Sequence, residues 1–129
     1  LGSSAYTLIK YQQTLTEMTV CFFFAATANV YRNQGNEAFK KGDFISAIHF
    51  YTKGIQTNCS EKELKAKLYN NRAIAYFKLG NHQESQRDAE AATELNPSFL
   101  KAIVRGATAC VELRRFEEAI TWCDKGLAV

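Results

Sequence analysis

Proline is almost absent from this chain: Pro97 is the only one in 129 residues. With so few breakers, helices can run uninterrupted between turns. Histidine is scarce too, with His49 and His82 alone. Glycine-rich phosphate loops are missing, so the sequence offers no catalytic constellation and no enzyme is expected. The four cysteines, Cys21, Cys59, Cys110 and Cys123, form no CxxC pair and no Cys/His cluster at zinc spacing. No metal and no cofactor are expected, and the thiols read as reduced cysteines of a cytoplasmic or nuclear protein. There is no run of Lys and Arg. The net charge is +3, with basic residues interleaved among Glu and Asp, which argues against nucleic acid. No apolar run reaches the roughly 20 residues that a membrane-spanning helix needs. The apolar stretch Val20-Cys-Phe-Phe-Phe-Ala-Ala-Thr-Ala28 is much shorter.

What the chain has instead is self-similarity. Tyr69, Ala73, Tyr76, Ser85, Ala89 and Ala92 are matched 34 residues on by Ile103, Ala107, Cys110, Ala119, Cys123 and Gly126. A third copy lies upstream in Tyr31, Gly35, Ala38, Ala47, Tyr51 and Gly54. It is offset by 38 residues (31 to 69, 35 to 73, 47 to 85). A fixed period of this length signals a stack of like units. Hydrophobic residues make up 47% and charged residues 22%, ordinary for a globular chain that fits one small domain.

The spacing resembles the tetratricopeptide repeat, a helix–turn–helix unit of about 34 residues. The resemblance implies an all-α fold: a right-handed superhelical stack of three repeats (28–61, 66–99 and 100–129). An N-terminal helical extension over 1–27 precedes them. Small residues carry the match. Gly35, Ala73 and Ala107 sit where each first helix approaches its partner, opposite Ala47, Ser85 and Ala119. Gly54, Ala92 and Gly126 let each second helix meet the next unit. Tyr31, Tyr69 and Ile103 hold the family's Trp slot, and Cys59 stands where the first copy lacks its Pro. Cys110 and Cys123 fall on slots that are buried and face each other.

Six repeat helices follow. They are expected from Asn29 to Lys41, Phe44 to Thr57, Glu61 to Leu79, His82 to Leu95, Ser98 to Arg114, and Phe116 onward. Gly42-Asp43, Gly80-Asn81 and Asn96-Pro97 punctuate them. Ser60 with Glu63 reads as a capping box, and His82, opening a helix, reads as exposed. Leu1-Gly-Ser-Ser4 reads as a cloning remnant. The apolar stretch near Phe22 reads as a leading helix that covers the first repeat or a neighbouring molecule. The last helix carries Phe116, Ile120, Cys123 and Leu127 along one stripe. Repeat stacks need a polar capping element, so the chain reads as a fragment of a longer protein. The uncapped last helix and the N-terminal segment are the alternative surfaces for self-association.

In such a stack the first helix of each unit lines an inner groove. Arg32 and Asn36, then Lys101 and Arg105, are i, i+4 pairs on one face. With Asn71 they bring three cations and two amides together, and no acidic residue. These five residues fall on the slots of the dicarboxylate clamp of the co-chaperone members of the family. There the pattern is Lys-x-x-x-Asn, Asn-Arg and Lys-x-x-x-Arg. This chain reads Arg32-Asn-Gln-Gly-Asn36, Asn71-Arg72 and Lys101-Ala-Ile-Val-Arg105. Arg32 departs from the family's Lys, and a planar five-donor fork replaces a point charge. The resemblance implies binding of the C-terminal Glu-Glu-Val-Asp tails of the ninety- and seventy-kilodalton heat-shock chaperones. Phe39, Phe77 and Lys78 are candidates for the tail's side-chain pocket. The competing reading is a scaffold that binds an unrelated partner through another face.

Overall fold

The structure is a computed structural model and describes residues 2–129. Six helices follow one another: α1 (Gly2–Lys40), α2 (Phe44–Gln56), α3 (Lys62–Lys78), α4 (His82–Leu95), α5 (Leu100–Glu112) and α6 (Phe116–Leu127). There is no strand among the described residues. Each helix packs on the next in sequence. In addition α1 touches α3 and α3 touches α5, whereas α2, α4 and α6 do not touch one another. The first helix of each hairpin therefore lies on the tighter, inner side of the stack.

The turns explain the breaks. Gly42 and Gly80 adopt φ of 77° and 80°, the left-handed conformation that ends a helix with least strain at glycine. The third turn puts Arg114 there instead, at φ 61°. Asp43 caps α2 by accepting a 3.0 Å hydrogen bond from the Ser46 amide, and its bonds from Ser46 hold the carboxyl below the usual carboxylate range.

Small residues set the helix spacing, as the repeat pattern requires. Ala47, Ala73 and Ala92 are wholly buried. Ser85 is buried as well, and its hydroxyl donates to the Ala73 carbonyl at 2.7 Å. A methyl group on Gly35 would come within 2.5 Å of the Tyr51 ring, and one on Gly54 within 2.8 Å of Leu68. Such contacts force neighbours to move in a close-packed interior. Two apolar clusters result. One joins α1, α2 and α3 around Tyr51, Leu64 and Leu68. The other joins α4, α5 and α6 around Ile103, Cys110 and Trp122.

Between the clusters lies an ion pair. Arg72 on α3 grips Asp88 on α4 through two bonds of 2.7 Å and donates to Thr52 on α2 at 3.1 Å. Its guanidinium lies between the Tyr69 and Tyr76 rings. Asp88 is buried and Arg72 half-buried. Arg72 thus ties three successive helices together.

Four expectations are corrected. First, α1 does not begin near Asn29; it runs unbroken from Gly2. Nothing between 2 and 40 breaks a helix, and Thr7, Thr14, Thr16, Thr19 and Thr27 each return their hydroxyl to the carbonyl four residues back. The segment is helical, but only its end is covered: Phe24 and Ala25 pack on the first cluster, while Phe22 and Phe23 are exposed. Second, no capping box forms at Ser60. The cap of α3 is Glu61, without a side-chain bond, and the Ser60 hydroxyl meets the Cys21 thiol at 2.9 Å. Third, Cys110 is buried but Cys123 is exposed. Trp122 takes the inward position on α6, over Gly106, where an added methyl would lie 2.6 Å from its ring. Cys123 instead joins the exposed side of α6 with Phe116, Ile120 and Leu127. Fourth, His82 is half-buried rather than exposed, because its ring packs edge-on against Phe77 at 4.6 Å. No helix among the described residues is long and apolar enough to cross a membrane.

Candidate functional site

The inner helices carry the candidate residues. Arg32, Asn36 and Phe39 are on α1, Asn71, Phe77 and Lys78 on α3, and Lys101 and Arg105 on α5. At the α1–α3 junction the two amides meet. Asn71 Nδ2 donates to Asn36 Oδ1 at 3.2 Å. The same oxygen accepts a 2.6 Å bond from the Tyr51 hydroxyl. Asn36, Phe39, Tyr51, Asn71 and Ile74 line a small cavity of about 140 Å³.

Tyr51 is the residue that sequence reasoning missed at this place. It stands in the sequence only as a repeat-matched position, yet it reaches the site from α2. The ring stacks on Gly35, which places its hydroxyl beside the next residue, Asn36. Burial pushes the Tyr51 hydroxyl up to about 12, against the opposing pull of the Arg32 charge. It therefore stays a donor at any physiological pH.

At the α3–α5 junction, Arg105 lays its guanidinium over the Phe77 ring, 4.6 Å from the centroid. Phe77 in turn meets His82 on its edge. Burial lowers the pKa of Arg105 from its ordinary value, and its Nε is buried with no hydrogen-bond partner. A buried donor without an acceptor carries a desolvation cost until something accepts from it. Lys101, one turn earlier on α5, is exposed. Phe39 packs edge-on against Phe44 at 5.1 Å, so it is both core and cavity wall. Lys78 is exposed in the last turn of α3.

Few of the cations are paired. The ion pairs among the described residues are Lys40–Glu37, Arg72–Asp88 and Arg87–Glu84. Arg32, Lys101 and Arg105 belong to none of them. Arg32 bonds only the neutral amide of Asn29, at 3.2 Å. Arg72, adjacent to Asn71, has its charge matched by Asp88 and is turned to structure. Three unmatched cations and two amides on the inner helices suit an anionic ligand with several acceptor oxygens. Among the described residues, no group of three or more His, Cys, Asp or Glu could hold a metal.

The family pattern described as tetratricopeptide repeat matches residues 66–99. Tetratricopeptide repeat protein 4 of Bos taurus and of Homo sapiens is 44% identical over 102 residues, covering 79% of this chain. The runs Lys101–Ala107 and Trp122–Leu127 point to the same likeness. This chain spans about a quarter, 26%, of the length of those relatives. The Hsp70/Hsp90 co-chaperone CNS1 of Saccharomyces cerevisiae is 34% identical over 92 residues, 71% of this chain and 24% of its own length. Among solved structures, the second TPR domain of Spaghetti (RPAP3), bound to the HSP90 peptide SRMEEVD, superposes with a TM-score of 0.73. It is 33% identical, over 81% of this chain and 93% of that domain. With six helices stacked as three hairpins on the repeat's own small-residue slots, this chain belongs to the tetratricopeptide-repeat family.

Proposed function

We propose that this chain is a peptide-binding module whose inner groove holds the carboxylate-ending tail, Glu-Glu-Val-Asp, of HSP90- and HSP70-class chaperones. One observation carries the proposal: on the inner helices, beside Lys101, Arg105 keeps a buried Nε that no protein group accepts from. A C-terminal aspartate brings two carboxylates, and these are the missing partners. Lys101 and Arg105 take the carboxylates, and Arg32 adds charge. Asn36 and Asn71 supply amide N–H donors beside the cavity. Phe39, Phe77 and Lys78 line the path of the preceding side chains. The likeness to a TPR domain solved with an HSP90 peptide and to a yeast protein named as an Hsp70/Hsp90 co-chaperone supports the same ligand. The module binds and does no catalysis, and its place is with the cytoplasmic chaperones.

Hydrogen bonds to charged groups contribute about 1.5–3 kcal/mol each. A few of them, set against the ordering of a short peptide, give micromolar affinity, about −8 kcal/mol. Titration calorimetry tests this with a Glu-Glu-Val-Asp-ending peptide as free acid and as amide. The free acid binds and the amide binds far more weakly. Equal affinity for the two sinks the clamp and moves the search to another face. HSP90 and HSP70 tail peptides run side by side give the preference between them.

A further inference from the structure

The two amides at the centre of the groove are not equivalent. Asn36 Oδ1 accepts from two donors at once, the Tyr51 hydroxyl at 2.6 Å and Asn71 Nδ2 at 3.2 Å. An amide held so can present only its nitrogen to a ligand. Turning it over would set Nδ2 against Asn71 Nδ2, donor against donor, and would strand the tyrosine proton. Neither N–H of Asn36 Nδ2 has a protein acceptor among the described residues. The stronger holder is the tyrosine, by distance and by rigidity. Tyr51 is 2% exposed, and its ring rests where Gly35 leaves room for no side chain of its own. Asn71 sits on the solvent-lined wall and is only half-buried.

We infer that Tyr51 is a positioning residue for carboxylate recognition: from the buried side of α2 it fixes the polarity of the Asn36 amide, so that a donor and not an acceptor faces the anion. This rests on the groove reading above and assigns the orientation of one of its donors to a residue outside the groove helices. It also accounts for a tyrosine at a core position where phenylalanine would pack equally well. A buried phenol needs a partner, and here the partner is the residue beside the glycine on which the ring rests. The raised hydroxyl pKa keeps that donor protonated throughout the range in which peptide binding is measured.

Tyr51→Phe keeps the ring over Gly35 and removes only the oxygen. The expected result is a loss of about tenfold in affinity for the free-acid Glu-Glu-Val-Asp peptide, one hydrogen bond's worth. Affinity for the amidated peptide stays unchanged, so the acid-over-amide preference falls by the same factor. In an Asn36→Ala background Tyr51→Phe has no further effect on binding. A purely structural role would shift the melting temperature and leave the acid-over-amide ratio where it was. An undiminished ratio in Tyr51→Phe, with wild type still preferring the acid, overturns the positioning role and spares the groove reading. A wild-type protein that binds both peptides equally overturns the groove reading and the inference with it.

Discussion

At the scale of single residues, the inner helices hold two kinds of cation, and they differ in what they answer to. Arg72 is matched: Asp88 takes it through two short bonds, with Thr52 and two tyrosine rings around it. Asp88→Ala leaves a half-buried guanidinium without its counter-charge. Removal of one partner of a buried pair costs about 3–5 kcal/mol, so urea unfolding should show a midpoint far below wild type. An unchanged midpoint would mean that Arg72 finds water or a new acceptor. Arg105 and Lys101 are unmatched, and their loss should act on binding instead. Arg105→Ala should weaken the free-acid peptide by about tenfold to a hundredfold, since 1.4 kcal/mol is one decade. Lys101→Ala should behave similarly, with circular dichroism unchanged in both. An unaltered affinity in the double variant removes these two residues from the site. The sequence made this division half-legible. The spacing of Arg32, Asn36, Asn71, Lys101 and Arg105 could be read from the repeat register. That Asn71's neighbour Arg72 is consumed by Asp88, and that Tyr51 reaches Asn36, depends on pairs 16 and 15 residues apart across a helix turn. No local pattern marks such pairs.

At the scale of helices, legibility followed punctuation. α4 runs His82–Leu95 as its sequence bounds require, because Gly80-Asn81 and Asn96-Pro97 close it on both sides. The boundaries of α2, α3, α5 and α6 moved by a residue or two, which is ordinary fraying. α1 failed for the converse reason. Nothing in 2–28 stops a helix, so the first repeat helix extends backwards for as long as its backbone bonds can be made. The extension is a different kind of element from the rest. Residues 2–20 are all exposed, and burial begins only at Phe24, Ala25 and Ala28. Helical stability in proteins comes mostly from tertiary packing of an apolar face, and none of residues 2–20 is buried against the repeats. The repeats therefore do not depend on it. Deletion of residues 1–16 should lower the mean helical signal while changing the unfolding free energy from urea titration by less than about 0.5 kcal/mol, the usual range for changes away from buried features. A larger loss would show that the arm packs on the repeats or on a second molecule in solution.

At the scale of the whole molecule, stability is distributed along a line. Each hairpin touches only its neighbours, so the free energy is close to a sum of unit and interface contributions. α3 has the most neighbours, packing on α1, α2, α4 and α5. It also carries the Arg72 bridge and a buried face of Leu64, Ala66, Leu68, Ala73 and Ala75. α6 packs on α5 alone and buries little beyond Ala119 and Trp122, while Phe116, Ile120 and Leu127 stay in solvent. Local opening draws on the elements with fewest buried apolar contacts. Native-state hydrogen exchange should therefore grade along the chain. Amides of α3 and α4 should exchange last and α6 earlier, with the arm before Cys21 fastest of all. The grading matters for the groove, because Lys101 and Arg105 sit on α5, between the slow centre and the fast end. Peptide that binds the folded groove and not the opened one must slow exchange in α5, by up to the factor 1 + [L]/Kd. At a hundredfold excess over Kd that is about two decades. α6 should gain part of this protection through its contact with α5 around Trp122 and Gly106. Uniform exchange along all six helices would show a single cooperative unit. Protection by peptide confined to α1 and α2 would place the ligand away from Lys101 and Arg105.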